Sequence, residues 1–219
     1  MTPVQEYNKL LAEKTIEGLK KRNMQGFYAE TKEEAANIAL SLIPENSLIS
    51  WGGSATLSET GLIEKLKSGN YKCLDRNDVD TREEKEEIAH KALSADFYLM
   101  STNAMTIDGE LINIDGNGNR TAALIYGPKN VIIITGINKI CDTYDSALSR
   151  ARNKASIPNV IRFNCNTPCQ KTGKCVDCFS PDTVCCQFVH TRFSRIKDRI
   201  KVIIVGESLG FWFNKFYLK

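Results

Sequence analysis

Short apolar runs alternate with amphipathic, helix-spaced stretches along most of this chain. Residues 2–22 predict a helix, with Thr2 as N-cap and Pro3 at the first helical position. A short strand at 26–29 follows. Thr31 and Glu34 then form a capping-box pattern ahead of Ala35, Ile38, Ala39 and Leu42, which share one helical face, and Pro44 ends that helix. Residues 47–51 read as an apolar strand, and a helix carrying Leu62, Ile63 and Leu66 runs on to Gly69. The unit repeats with a strand at 71–74, a capping box at Thr81 and Glu84, a helix through Ile88 and Leu93, and a strand at 96–100. The runs at 130–135 and 200–205 are rich in β-branched residues and predict strands buried on both faces. Between them, 142–153 predicts a helix with Ala147, Leu148 and Ala151 on one side.

This alternation predicts an α/β fold, a mainly parallel sheet flanked by helices. One interruption stands out. Residues 105–114 read as a hairpin with Asp108-Gly109 at its turn, so an antiparallel insertion sits inside the α/β order. Residues 1–219 are expected to form a single domain, with 165–186 as an excursion between the last helix and the last core strand. The aromatic stretch 210–219 is expected to pack or to face a partner, and no chemistry attaches to it.

Composition changes this picture little. The chain has 42% hydrophobic and 25% charged residues and a net charge of +3 over 219 positions, as in ordinary globular proteins. Its densest basic group, Lys20-Lys21-Arg22, lies at a helix end where cations offset the dipole. No nucleic-acid footprint and no membrane surface follow from such a distribution. No apolar run approaches the ~18–20 residues of a membrane span. The N-terminus lacks the apolar core of a signal peptide, and a cytoplasmic, reduced protein is expected. Only His90 and His190 are present, neither with a local acid or nucleophile partner, so proton transfer is expected to fall to carboxylates, lysine or thiols.

The cysteines change it more. Six of the eight lie between Cys165 and Cys186. Cys169, Cys175, Cys178 and Cys185 follow C-x5-C-x2-C-x6-C, in a segment broken by Gly173 and Pro181 that allow sharp turns. Thiolates select zinc, copper(I) or iron–sulfur clusters. An iron–sulfur cluster ranks first because four cysteines can hold one, although the spacing is not the ferredoxin run. Structural zinc is the alternative, with one C-x2-C pair at Cys175 and Cys178. Disulfides or free thiols remain the plain reading. Cys165 and Cys186 stand as reserve ligands.

Three polar clusters follow predicted strands or hairpin arms, where ligands bind in parallel α/β sheets. The first is Gly52-Gly53-Ser54-Ala55-Thr56 with Glu59; glycines let backbone approach an anion, and a bare tight turn accounts for the same residues. The second is Ser101-Thr102-Asn103. The third, from Asn113 through Asp115 and Asn119 to Arg120, packs polar side chains with two glycines and favours binding over a plain turn. It is not a dinucleotide fingerprint, and no Walker sequence occurs. Gly52–Thr56, Asn103, Asp115 and Arg120 are expected to converge on one cleft.

Taken together, these residues resemble the LUD (lactate utilisation) family. The resemblance rests on Gly52-Gly53-Ser54-x-Thr56-x-x-Glu59, on the long stretch from Thr102 to Arg120, and on Gly127-Pro128-Lys129. It continues through Asn138-Lys139, Arg150, the Cys169–Cys185 segment and Gly206-Glu207-x-Leu209-Gly210. It implies a part in oxidising lactate to pyruvate alongside iron–sulfur oxidoreductase subunits. The cysteine-bearing branch departs from the plain lactate-utilisation subunit, and within the segment the family pattern selects Cys185 over Cys186. The resemblance also implies a fold like that of ribose-5-phosphate isomerase, glucosamine-6-phosphate deaminase and the CoA-transferases. By that analogy Gly52, Gly53, Ser54 and Thr56, with Asn103, Asn113 and Asn119, would hold a small carboxylate or phosphate. Glu59, Asp108 and Asp115 become candidate acid–base groups, and Arg120 or Lys139 would pair the substrate's charge. The isomerase's lysine has no match in the 115–119 loop, so sugar-phosphate isomerisation is not expected. A small-acid or acyl-transfer enzyme with structural zinc is the alternative from another class.

Overall fold

A computed structural model describes residues 2–211. Ten strands run in chain order: β1 (Gln25–Ala29), β2 (Leu48–Trp51), β3 (Lys72–Leu74), β4 (Phe97–Met100), β5 (Ala104–Thr106), β6 (Leu111–Asp115), β7 (Asn130–Gly136), β8 (Ile140–Cys141), β9 (Gln187–Thr191) and β10 (Ile200–Val205). Six form one all-parallel sheet in the order β1-β10-β7-β4-β2-β3. The α/β class and the mainly parallel sheet read from the alternation are therefore the observed architecture. The helices are α1 (Pro3–Lys21), α2 (Lys32–Ser41), α3 (Ala55–Glu59), α4 (Leu62–Ser68), α5 (Arg82–Ala92), α6 (Asn119–Tyr126), α7 (Tyr144–Arg150), α8 (Ile157–Arg162) and α9 (Pro168–Thr172).

The β-branched runs are apolar throughout because both faces of the sheet are covered. Ile132, Ile134, Ile203 and Val205 face one way, into a core with Ala35, Ala39, Leu57 and Leu66. Val131, Ile133, Val202 and Ile204 face the other way, against Ala12, Leu19 and Leu124. Helix starts follow the capping residues. Thr2 and Gln5 make a reciprocal box, as do Thr81 and Glu84. Thr31 accepts from the Glu34 N–H, but the Glu34 carboxylate turns to the N–H of Glu30 at 2.7 Å, so the expected box is only half made.

A second, four-stranded sheet, β8-β5-β6-β9, is built from excursions beyond the carboxyl ends of β4 and β7 and ahead of β10. Its β5–β6 hairpin is the one marked by Asp108-Gly109. β9 was not anticipated; its pattern is half-exposed, and it pairs with β6 across some 75 residues of sequence, which no local signal reports. That pairing also corrects the view of His190, whose Nε2 lies 3.2 Å from a Glu110 carboxylate oxygen.

The helix expected over 142–153 runs further. After α7 the chain widens into a π-helical stretch, Ala151–Ser156, and continues as α8. Pro158 near the start of α8 explains the wide turn: it has no N–H to give the preceding turn and its ring crowds the carbonyl four residues back. The aromatic stretch 210–219 lies outside the described residues from position 212 onward. Among the described residues no helix is long and apolar enough to cross a membrane.

Candidate functional site

The carboxyl ends of β2, β4 and β7 and the second sheet enclose a cleft of about 560 Å³. The structure brings Gly52, Gly53, Ser54, Thr56, Asn103, Asp115, Asn119, Arg120 and Lys139 to its walls, although they come from separate parts of the chain. Parallel strands end at one edge of a sheet, so loops distant in sequence meet there. Glu59 is half-buried behind this wall, where its Oε2 accepts from the Gly210 N–H at 3.3 Å.

Several of these side chains build the cleft rather than face it. Arg120 is the hub. Its Nη1 donates to Asn113 Oδ1 at 2.6 Å and to the Ser101 carbonyl at 3.2 Å. Its Nη2 donates to the Ile114 carbonyl at 2.7 Å and to Asn103 Oδ1 at 3.1 Å. Asp115 stands 3.5 Å from Arg120 Nε and caps α6, accepting from the N–H groups of Gly118 and Thr121. Gly52 packs closely beside this hub: a Cβ there would lie 3.2 Å from Arg120 Cδ and from the Tyr98 hydroxyl, and one of them would have to give by a few tenths of an ångström. Burial pushes that hydroxyl up to about 12, so Tyr98 stays neutral and leaves the cleft's charge intact. Ser54 is occupied too, accepting from the Leu57 N–H as the cap of α3. Thus Arg120, expected to pair a substrate's charge, spends its planar fork on the frame.

Asp108 is not brought to the cleft, which corrects its assignment as an acid–base candidate. It sits at the hairpin turn against α1, where Arg22 donates to its carbonyl at 2.7 Å and a side chain on Gly18 would strike its backbone. Asp-Gly is a turn signal first, and here it is a turn and a docking point.

Sequence reasoning missed most of the cleft's cationic lining. Arg76, Arg150, Lys154 and Arg162 join Arg120 and Lys139 on its walls, against one lining carboxylate among the described residues, Asp115. Arg150 had been noted only as part of a family pattern. It donates from Nε to the Asn138 carbonyl and from Nη1 to the Asn103 carbonyl, so neither bond uses Nη2. Isolated cations on helices look the same in sequence whether they meet solvent or a cleft. Their convergence is a tertiary fact.

Lys139, at the end of the turn after β7, is 7% exposed. Its Nζ donates to Thr56 Oγ1 at 2.8 Å and to Ser101 Oγ at 2.9 Å. Burial first, then the charge of Arg150, drives its amine down to about 7, with Glu59 opposing the shift. Between that value and the ordinary 10.5, the unfolded chain holds a proton that the folded one has released. Stability contributed by this residue should therefore rise with pH from about 7 to 10, by up to about 1.4 kcal/mol per unit. Below pH 7 the penalty is full and constant. Urea unfolding of the protein and of Lys139→Met at pH 7, 8 and 9 checks this: the difference between the two should shift in that direction, and a flat difference contradicts the titration.

The cysteine segment forms the partition beside this cleft. Cys169, Cys175, Cys178 and Cys185 line a second cavity of about 410 Å³, with Arg152 and Phe188. Cys165 faces the first cleft, and Cys186 borders both. Arg152 donates to Cys175 Sγ at 3.4 Å and pairs with Asp177, while Thr167 Oγ1 and Cys169 Sγ are 3.3 Å apart. All eight cysteines are free thiols. Burial raises the Cys185 thiol, with Cys175 and Cys169 adding to the effect. Four soft donors on one cavity suit a thiolate-bound centre by chemistry. Yet among the described residues no group of three or more His, Cys, Asp or Glu is gathered closely enough to hold a metal ion, so the expected four-sulfur set is adjacent but not assembled.

Comparison with known proteins agrees with this architecture. The family model of the LUD domain matches residues 12–205. A crystal structure of a DUF162 family protein from Deinococcus radiodurans, DUF162 being the LUD family, superposes with a TM-score of 0.53 at 14% identity, covering 91% of this chain and 98% of that one. At that identity the likeness establishes a shared fold. eIF2B delta from Chaetomium thermophilum gives a TM-score of 0.33 at 15% identity, over 67% of this chain and 59% of its own, too distant to carry an argument. No curated protein matches the chain.

Proposed function

The chain belongs to the LUD domain family, involved in lactate utilisation in general, and from that footing we propose that it is an accessory redox subunit that binds a small hydroxy- or oxo-acid. The observation that carries this reading is the charge of the cleft: among the described residues, five cationic side chains besides the down-shifted Lys139, and one carboxylate, line it. Such a concave site of one sign concentrates anions. Its size suits a small carboxylate or phosphate with room to spare. Arg76, half-buried near Gly53, and Arg150 line it and form no ion pair with a carboxylate among the described residues.

Cys169, Cys175, Cys178 and Cys185 would hold an iron–sulfur cluster, which would supply one-electron transfer beside the cleft. Structural zinc at the same residues is the alternative. Thiolate sites form with their metal, so assembly of the set and ordering of residues 165–186 are coupled. A reducing cytoplasm and iron–sulfur oxidoreductase partners belong to this reading.

Two measurements test it. Calorimetric titration of the intact protein with lactate, pyruvate and inorganic phosphate should show binding that weakens with salt. Arg76→Met should loosen it by roughly tenfold, the worth of one charge-assisted contact. No binding by any of the three ends the reading. Separately, anaerobic purification should give a brown protein containing iron and sulfide, with Cys175→Ser/Cys178→Ser losing most of both. A colourless protein with one zinc favours the alternative, and metal content untouched by the double substitution removes these cysteines from the site.

A further inference from the structure

The most unusual group in the cleft is a lysine enclosed on nearly every side. Thr56 and Ser101 fix its nitrogen through their hydroxyls. Gly210, with φ of 80°, lies over it: a Cβ there would come within 3.3 Å of Nζ and 2.9 Å of Thr56 Oγ1. The charged groups around the amine are Arg150 from α7, Arg120 from α6 and Glu59 from α3. No carboxylate among the described residues forms an ion pair with it. Yet Lys139 still lines the cleft, so a ligand there reaches it. A lysine placed to bind an anion by charge alone would be expected at an exposed position, where solvation favours the protonated form. This one is at the floor, desolvated and next to cations, the setting that turns an amine into a nucleophile.

We propose that Lys139 is an imine-forming amine that condenses with the carbonyl of a small 2-oxo acid held in the cleft. The inference rests on the small-acid reading of that cleft. The neutral Nζ lone pair adds to the carbonyl carbon, and the carbonyl π pair moves to oxygen, which takes up a proton. The nitrogen then gives up a proton, the hydroxyl takes up a second one from water, the C–O bond breaks with its oxygen leaving as water, and C=N forms as the protonated iminium, with a net uptake of one solvent proton. No oxidant or reductant is consumed. Thr56 and Ser101, hydrogen-bonded to the same nitrogen, are placed to accept and return the protons. The acid's carboxylate faces Arg150, whose Nη2 is outside the two bonds that anchor it. Burial first, then Arg150 and Arg120, favours the neutral amine before reaction, and the incoming carboxylate offsets the cations' repulsion of the iminium charge afterwards.

The test uses the intact protein, pyruvate as probe and cyanoborohydride to reduce any imine to a stable secondary amine. Mass spectrometry of the whole chain and of its peptides then locates the adduct. One adduct per chain on Lys139 is expected, rising with pH through the neutral range and absent from Lys139→Arg, whose fold circular dichroism confirms. Calorimetry with pyruvate runs alongside. Binding without an adduct on Lys139, or adducts spread over surface lysines alone, overturns the imine and leaves the acid-binding reading standing. Neither binding nor adduct overturns both.

Discussion

Arg120→Met should cost about 3–5 kcal/mol and lower the melting temperature by roughly 10 °C. The guanidinium side chain is 15% exposed and donates to four acceptors from two segments of chain, 101–103 and 113–114. Its removal takes the guanidinium donor from the Ser101 and Ile114 carbonyls and from the Asn113 amide oxygen, and leaves the Asn103 amide oxygen with the Ile114 N–H alone. Asn113 is fully buried and its Nδ2 already lacks a partner, so it has no spare contact to fall back on. Arg120→Lys should recover little, because an ammonium cannot reproduce a planar fork that serves four acceptors at fixed angles. Thermal and denaturant unfolding measure both. A loss under 1 kcal/mol for Arg120→Met would mean that the hub is not what holds the second sheet to the first.

The other large effect lies at the far end of the hairpin. Gly109→Ala should destabilise by about 3 kcal/mol or more, while Asp108→Asn should change both stability and acid binding little. Gly109 has φ of 86°, a conformation costly for any residue with a side chain. A Cβ there would also lie 2.5 Å from the Leu19 N, inside the backbone of α1. Neither partner can yield, because α1 is held to this turn by Arg22, which donates to the Asp108 and Arg192 carbonyls and pairs with Glu110 at 3.1 Å. Measuring the two variants together separates the turn from the chemistry once attached to it. Equal, mild effects would contradict the close approach; lost acid binding in Asp108→Asn would return that carboxylate to the site.

Most of the main sheet was legible before any coordinates. The strands at 47–51, 96–100, 130–135 and 200–205 and the Asp108-Gly109 hairpin depend on local properties: side-chain branching, turn chemistry and capping. These act over a few residues and leave a local trace. The cysteine cluster and the glycine-bearing strand ends were visible for the same reason. Their residues are unusual, or unusually close, in one dimension.

Roles were another matter. The sequence determined an α/β alternation, the places where loops leave the strands, and a thiol-rich segment. Only the tertiary structure decided that Arg120, Asn103, Asn113 and Asp115 frame the cleft, and that Asp108 anchors α1. It also decided that Arg76, Arg150, Lys154 and Arg162 supply charge from helices and loops with no motif of their own. The physical reason is that a side chain's role depends on which partners consume its donors and acceptors and on how much water remains. Both are set by residues tens of positions away. Lys139 shows it most plainly: one lysine among many in sequence, it becomes a buried amine with a strongly lowered proton affinity only when Thr56, Ser101, Arg150 and Gly210 close around it.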